Sequence, residues 1–339
     1  MILNKKKYLN FSQSCKPVKA GLLAVLIFSF FQADFLFAGS IADREEKPLI
    51  IYGIRGPSGL GMVRMFENPP LIEGFRVSME AVGQADLLAA RFIAGEAKIG
   101  ILPPNVAAKI ASSGINLKTA TVIGMGMLSL LTSDPLVKSL TDLRGKTVEA
   151  AGQGATPEFV FRRILSAHGL APDTDVTLGF SLAYPEIAQS LVSGRISTAL
   201  LPEPFATQAL AGKPDLHQVC DVQEEWSKAC GTDNYPMTVL AVDGDFAEAN
   251  PGALKIILSA LKDSIDWTVS FPAEAGLLAE KFDLGFPSKI AAAAVPRSNY
   301  IFIPAAQARP ALESLFRVFL EFSPVSIGGS LPADNFYYE

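Results

Sequence analysis

The chain contains one structural phrase twice. Gly95-Glu96-Ala97-Lys98-Ile99-Gly100-Ile101-Leu102 runs into Pro103-Pro104-Asn105. Ninety-nine positions later, Gly194-Arg195-Ile196-Ser197-Thr198-Ala199-Leu200-Leu201 runs into Pro202-Glu203-Pro204. The segments before each copy match at the same offset, with Leu88, Ala89, Phe92 and Ile93 falling on Ile187, Ala188, Leu191 and Val192. Each copy reads as an amphipathic helix, a glycine stop, an apolar strand and a proline turn that opens the next helix. Strands connected through helices belong in parallel pairing, so the pattern predicts an α/β fold. Two copies predict two similar lobes, although two helix–strand units of one large α/β domain would look alike.

At 339 residues the chain has room for either arrangement. Hydrophobic content of 49% with 19% charged residues describes a globular protein with a large core and argues against disorder. The net charge of −5 and the absence of a basic stripe argue against nucleic-acid binding.

Residues 1–38 read as an export signal. Lys5, Lys6, Lys7, Lys16 and Lys19 form a positive region, Ala20 to Phe31 is an apolar run without a charge, and Ala38, Gly39 and Ser40 are small. Cleavage is expected after Ala38. An uncleaved anchor is the other reading, but the run is short for a membrane span and Gln32 and Asp34 interrupt its extension. Removal takes away five lysines and one aspartate and leaves an acidic chain of net charge −9. Cys15 leaves with the signal. Cys220 and Cys230 remain, an even count that permits a disulfide outside the cytosol and is equally consistent with two half-buried thiols.

Leu49 to Ile54 reads as the first strand, and Arg55-Gly56-Pro57-Ser58-Gly59-Leu60-Gly61 as a glycine-rich turn into a short helix. Such a turn leaves backbone N–H groups free to face a ligand, and tight-turn chemistry explains it as well. Phe75 to Ala81 alternates like a strand, and Asp86 is the expected N-cap of a helix over 87–94. Ala120 to Met127 is an apolar strand that continues through Leu128–Thr132, long enough to pass from one lobe to the other. Gly152-Gln153-Gly154-Ala155-Thr156-Pro157-Glu158 ends a strand near 147–150, with Thr156 expected as N-cap and Pro157 at the first helical position. Further strands are expected at 176–180, 217–220 and 236–242, the last returning to the first lobe. Helices are expected near 250–271, 272–282, 287–294 and 304–322, with a tail from Ser323 lying on the surface.

Catalytic signatures are missing. The only histidines are His168 and His217, and no Gly-x-Ser-x-Gly, HExxH or metal-spaced Cys/His cluster occurs. Glu203, at a strand's carboxyl end, reads as a ligand hook or a helix-start charge. Neither enzymatic activity nor a cofactor or metal is expected.

Taken in order, several stretches resemble a known family: the Arg55–Met62 turn, Gly83-Gln84-Ala85-Asp86-Leu87-Leu88, Ala94 to Asn105, Ser139 to Val148 (Ser-Leu-Thr-Asp-Leu-Arg-Gly-Lys-Thr-Val), Gly152 to Glu158, and Ala199 to Phe205. They resemble substrate-binding proteins of ABC importers in the nitrate/sulfonate/taurine and thiamine-precursor branch, over roughly residues 48–322. The resemblance implies the two-lobed type II periplasmic-binding-protein fold, α/β, with two hinge-crossing strands and a ligand cleft between lobes. Lobe one would comprise 48–129 and 238–339, and lobe two 130–237. It further implies a monomer in the periplasm or another extracytoplasmic space, a small-molecule ligand, and a membrane permease with its cytoplasmic ATPase as partners. Carried onto this sequence, ligand contacts would come from Pro57, Ser58, Gly59, Gln84, Asn105, Met127, Ser129, Gly154, Ala155, Thr156, Glu203 and Tyr235. An exported enzyme on the same scaffold is the alternative, against which stands the lack of the cysteine-rich motif and active-site histidine of the pyrimidine-forming enzymes.

Overall fold

The computed structural model describes residues 46–339. The expected signal segment lies outside the described residues. In chain order the strands are β1 (Lys47–Ile54), β2 (Phe75–Val82), β3 (Ile99–Leu102), β4 (Leu117–Met125), β5 (Leu128–Thr132), β6 (Lys146–Glu149), β7 (Val176–Gly179), β8 (Thr198–Pro202), β9 (His217–Asp221), β10 (Pro236–Asp243) and β11 (Tyr300–Pro304). The helices are α1 (Pro57–Leu60), α2 (Val63–Glu67), α3 (Ala85–Ile93), α4 (Pro104–Ser112), α5 (Thr156–Ala167), α6 (Tyr184–Val192), α7 (Phe205–Gly212), α8 (Val222–Cys230), α9 (Gly244–Ala249), α10 (Pro251–Ser270), α11 (Pro272–Lys281), α12 (Ser288–Ala294) and α13 (Ala305–Phe322).

Two sheets result, one ordered β11-β4-β10-β3-β1-β2 and the other β7-β6-β8-β5-β9. Their layouts correspond. In the first, β1 runs parallel to β2 and β3, and β10 joins antiparallel beside β3. In the second, β6 runs parallel to β7 and β8, and β5 joins antiparallel beside β8. The repeated phrase therefore occupies matching places: β3 and β8 are each the strand next to a connecting strand. Gly95 and Gly194 even share a φ of +74°, a left-handed helix stop that a Cβ would strain.

Side chains of both sheets alternate between two helical layers, as the two-residue period of a strand requires. In the first sheet Leu49, Ile51, Leu240 and Val242 pack with Leu254, Ile257 and Leu261 of α10, whereas Tyr52, Val239 and Ala241 face the layer holding α3, α4 and α13. In the second, Val148, Leu178 and Leu200 face α5, and Leu131, Ala199 and Leu201 face α6 and α7. Phe159 of α5 meets Phe319 of α13 at 4.8 Å between ring centres, so the last helix also packs on an element of the second sheet.

The structure corrects several local expectations. The long extended segment is two strands in different sheets, broken at Gly126–Met127. Thr156 is the first residue of α5 and Ala155 caps it, while Gln84, not Asp86, precedes α3. α8 and the half-buried strand β11 are not expected from the sequence, β11 because Tyr300-Ile301-Phe302-Ile303-Pro304 shows no apolar–polar alternation. The tail is not superficial: Phe336 and Tyr337 are buried, and Tyr338 donates its N–H to Thr119 O at 2.9 Å. Cys220 and Cys230 are free thiols, so the permitted disulfide is absent.

Candidate functional site

The carboxyl ends of the parallel strands and the first turns of the helices after them carry most of the expected ligand residues. Below β1, Gly56 adopts φ +108° and the chain enters α1, where a Cβ on Gly59 would stand 2.6 Å from Ile54 O. Tyr300 of β11 fixes this turn by donating its hydroxyl to Pro57 O at 2.7 Å. Ser58 Oγ lies 3.3 Å from Thr238 Oγ1 on β10.

After β3, Pro103 caps α4 and places Asn105 in its first turn, buried to 6% exposure. Asn105 Nδ2 donates to Gly154 O at 3.5 Å, which links the β3 end of the first sheet to the β6 end of the second. Its Oδ1 is buried with no hydrogen-bond partner. The receiving loop turns through Gly152 and Gly154, both with positive φ, and delivers Ala155 and Thr156 to the start of α5. Thr156 is 2% exposed, and its hydroxyl also lacks a partner. Buried polar oxygens are normally hydrogen-bonded, and an orphan costs about 1–3 kcal/mol. Two such atoms flanking one junction mark a place where an incoming molecule would supply the missing bonds.

Glu203 holds a second junction. It is 1% exposed, its Oε2 accepts the Thr207 N–H at 3.0 Å, and Arg297 Nε stands 2.7 Å from Oε1 as an ionic contact. Its backbone N–H donates to Met127 O at 3.0 Å. Beside it, Phe205 stacks on Tyr184 at 5.5 Å and meets Phe286 edge-on at 5.0 Å. Tyr184 donates its hydroxyl to Ala151 O, and burial raises the pKa of that phenol, so it stays a neutral donor.

Met127, Ser129 and Tyr235 gather where the chain passes between sheets. Ser129 pairs with Leu201 in the β5–β8 ladder. A Cβ on Gly124 would lie 3.3 Å from Met127 Cε and 3.5 Å from Thr238 Oγ1, which ties Met127 to the Ser58–Thr238 contact. Tyr235 is wholly buried, donates its hydroxyl to Gln223 Oε1 at 2.7 Å and packs edge-on against Trp226. Burial is also the largest cause of its strongly raised pKa. Its side chain thus serves the crossing. Gln84 stands apart, exposed at the start of α3, and its side chain makes no hydrogen bond among the described residues.

Sequence reasoning missed Arg297, Tyr300 and Phe286, which come from a stretch with no motif. It gave Glu158 no role beyond closing the Gly152–Glu158 turn. Glu158 is in fact 5% exposed, accepts the Gly154 N–H on Oε2 at 2.6 Å and meets Arg162 Nε at 2.7 Å. Both histidines are engaged elsewhere, His168 with Glu225 and His217 with Val137 O. Among the described residues no group of three or more His, Cys, Asp or Glu is placed to hold a metal, and no helix is long and apolar enough to cross a membrane.

Two sheets of matching topology, joined by two crossings and facing each other through strand-end loops, define the type II periplasmic-binding-protein fold. The profile of the NMT1-like family matches residues 102–280, and the chain belongs to that family. An ABC transporter from Parabacteroides distasonis is similar at 25% identity and TM-score 0.75, covering 87% of this chain and 99% of that one. The periplasmic aliphatic sulphonate binding protein of Escherichia coli shares the fold at 14% identity and TM-score 0.67, covering 86% and 92%. The periplasmic nitrate-binding protein of Synechocystis PCC 6803 does so at 12% identity and TM-score 0.61, covering 86% and 83%. No curated protein sequence matches the chain.

Proposed function

We propose that the protein is the extracytoplasmic solute-binding component of an ABC importer. It captures a small polar or heterocyclic molecule between lobe one (48–129 and 238–339) and lobe two (130–237). It then passes the molecule to a membrane permease driven by a cytoplasmic ATPase, and acts as a monomer that binds without chemical change. The signal pattern of residues 1–38 supports export to the periplasm or its equivalent. Membership of the family and the binding-protein fold of its neighbours support the class.

One observation carries the reading. Asn105 and Thr156 are contributed by different sheets, meet at the Gly154 loop, and each keeps a buried oxygen without a partner. A ligand at this junction would bond to both sheets at once and so favour their closed arrangement, the linkage on which a binding protein relies. In this reading Pro57, Ser58, Gly59 and Met127 shape one wall, and Gly154, Ala155 and Glu203 the other. Ser129 and Tyr235 support the crossing, and Gln84 lies at the rim.

The test is a thermal-shift screen of dialysed protein against nitrogen, sulfur and vitamin-precursor compounds. A true ligand at a hundred times its Kd stabilises by about 2.7 kcal/mol, a rise in Tm of roughly 5 °C for a chain of this size. The compound should be recovered unchanged after long incubation. Conversion to a product would instead establish an enzyme on the same scaffold.

A further inference from the structure

Cys220 and Cys230 stand at the two ends of α8. Cys220 immediately precedes the N-cap Asp221, whose carboxylate accepts the Gln223 and Glu224 N–H groups at 2.9 and 3.1 Å. Cys230 is the last helical residue, and Gly231 ends the helix at φ +69°. Both thiols are free and half-buried. Nine helical steps of about 1.5 Å part Asp221 from Cys230, and Cys220 is one Cα step of about 3.8 Å from Asp221, so the two cysteine Cα atoms stand at least about 9 Å apart. A disulfide needs its Cα atoms within about 7 Å. While α8 is wound, the two thiols cannot be joined.

That helix also holds the crossing between the sheets. Gln223 accepts the Leu128 N–H and donates to Leu128 O, both at 3.3 Å, and its Oε1 accepts the Tyr235 hydroxyl at 2.7 Å. The buried Trp226 ring meets Tyr235 edge-on at 5.2 Å, and its Nε1 donates to Thr232 Oγ1 at 3.0 Å. Arg163 of α5 donates to Ala229 O at 2.9 Å, and Glu225 contacts His168. Unwinding α8 would remove all of these contacts. In a chain without α8 only nine residues separate the thiols, a loop short enough to close readily.

We propose that Cys220 and Cys230 form a redox-sensitive switch on the crossing: their disulfide and α8 are mutually exclusive, so oxidation captures the chain only while α8 is unwound and leaves the crossing unassembled. The oxidant is a disulfide. One cysteine thiolate attacks it, forming a mixed disulfide and expelling one thiol, and the other cysteine then displaces the second. The new S–S bond replaces the oxidant's, which leaves as two thiols carrying both protons. An exported chain would meet such an oxidant before it folds. Once the chain is folded, helix geometry keeps the pair reduced, and burial slows attack further by raising the pKa of both thiols.

The test exposes the full chain carrying Cys15→Ser, in which only this pair can join, to oxidised glutathione. In denaturing urea the chain should lose two hydrogens and yield a Cys220–Cys230 cross-linked peptide. In the folded protein that product should form at least about a hundredfold more slowly, because it waits on the opening of α8. Diluted from urea, the oxidised chain should lack the near-UV circular dichroism of the reduced one, and dithiothreitol should restore it. A Cys15→Ser/Cys220→Ser/Cys230→Ser chain should refold alike with and without oxidant. An internal disulfide that forms in the folded protein at the urea rate, or an oxidised chain that refolds to the native spectrum, overturns the proposal. So does the absence of any internal disulfide in urea, or a triple variant that loses its spectrum only with oxidant. If the triple variant does not fold, recovery of the Cys15→Ser chain with dithiothreitol decides. No readout involves a bound solute, so the outcome is independent of the solute-binding reading.

Discussion

At the scale of single residues, function and stability pull in opposite directions at Thr156. Its hydroxyl is buried and unpartnered, which costs the unliganded protein about 1–3 kcal/mol relative to an apolar group of the same shape. Thr156→Val should therefore leave the unliganded protein as stable as wild type, or up to about 1 kcal/mol more stable, in urea unfolding. The same change should weaken ligand binding about tenfold, a loss of about 1.4 kcal/mol by titration calorimetry. A purely structural threonine would lower stability and leave affinity alone. The cysteines give an independent check on local packing. Burial, reinforced by the charges of Glu225 and Asp221, pushes the Cys220 thiol up to about 12. At pH 8 only roughly one Cys220 in ten thousand is then a thiolate. Its alkylation should be slow in the native protein and fast in urea, and the intact mass of a chain lacking residues 1–38 should report two free thiols.

Among the elements, the crossing between sheets is the most tightly specified. Gly126 N–H donates to Asn234 Oδ1 at 3.1 Å, Asn299 donates to Gly126 O, and Gln223 bonds both the N–H and the C=O of Leu128 at 3.3 Å. A Cβ on Gly126 would run into Asn234 and stand 2.6 Å from Tyr235 Cζ, and that ring is wholly buried against Trp226. Gly126→Ala should accordingly cost about 1–3 kcal/mol through overpacking, read as a lower urea midpoint.

This region also shows how far the sequence could be read. The repeated phrase located β3, β8 and their helices, because a glycine stop, an apolar run and a proline start are local signals. The break at Gly126–Met127 was invisible because Ala120 to Thr132 holds no charged residue or proline and stays mostly apolar on both sides of it. Only long-range pairing assigns its halves to different sheets. Likewise Glu158 looks the same in sequence whether it faces water or folds back onto Gly154, and Arg297 acquires meaning only when it meets Glu203, 94 positions earlier. Motif residues Asn105, Gly154 and Thr156 were legible as strand-end turns. The carboxylates that fill those turns were not, since their roles depend on side-chain direction.

For the whole molecule, contacts between the two sheets fall into three groups. Asn105 reaches Gly154 at the loops, Glu203 meets Arg297 beside the Phe205–Phe286 pair, and Phe159 packs on Phe319 and Phe322. The aromatic contacts are complete among the protein's own side chains, whereas the first junction is weak at 3.5 Å and leaves oxygens unpaired. Ligand binding is thus expected to act mainly through that junction. Native mass spectrometry of freshly purified protein, compared with an Asn105→Ala/Thr156→Val double variant, addresses this most directly. The expected spectrum shows wild type carrying one small molecule per chain, released with its mass unchanged on later incubation, and the double variant largely free of it. A wild type that carries no small molecule even after exposure to an extract of its growth medium, one that converts the molecule it carries, or a double variant that keeps the full adduct would contradict capture at the Asn105–Thr156 junction.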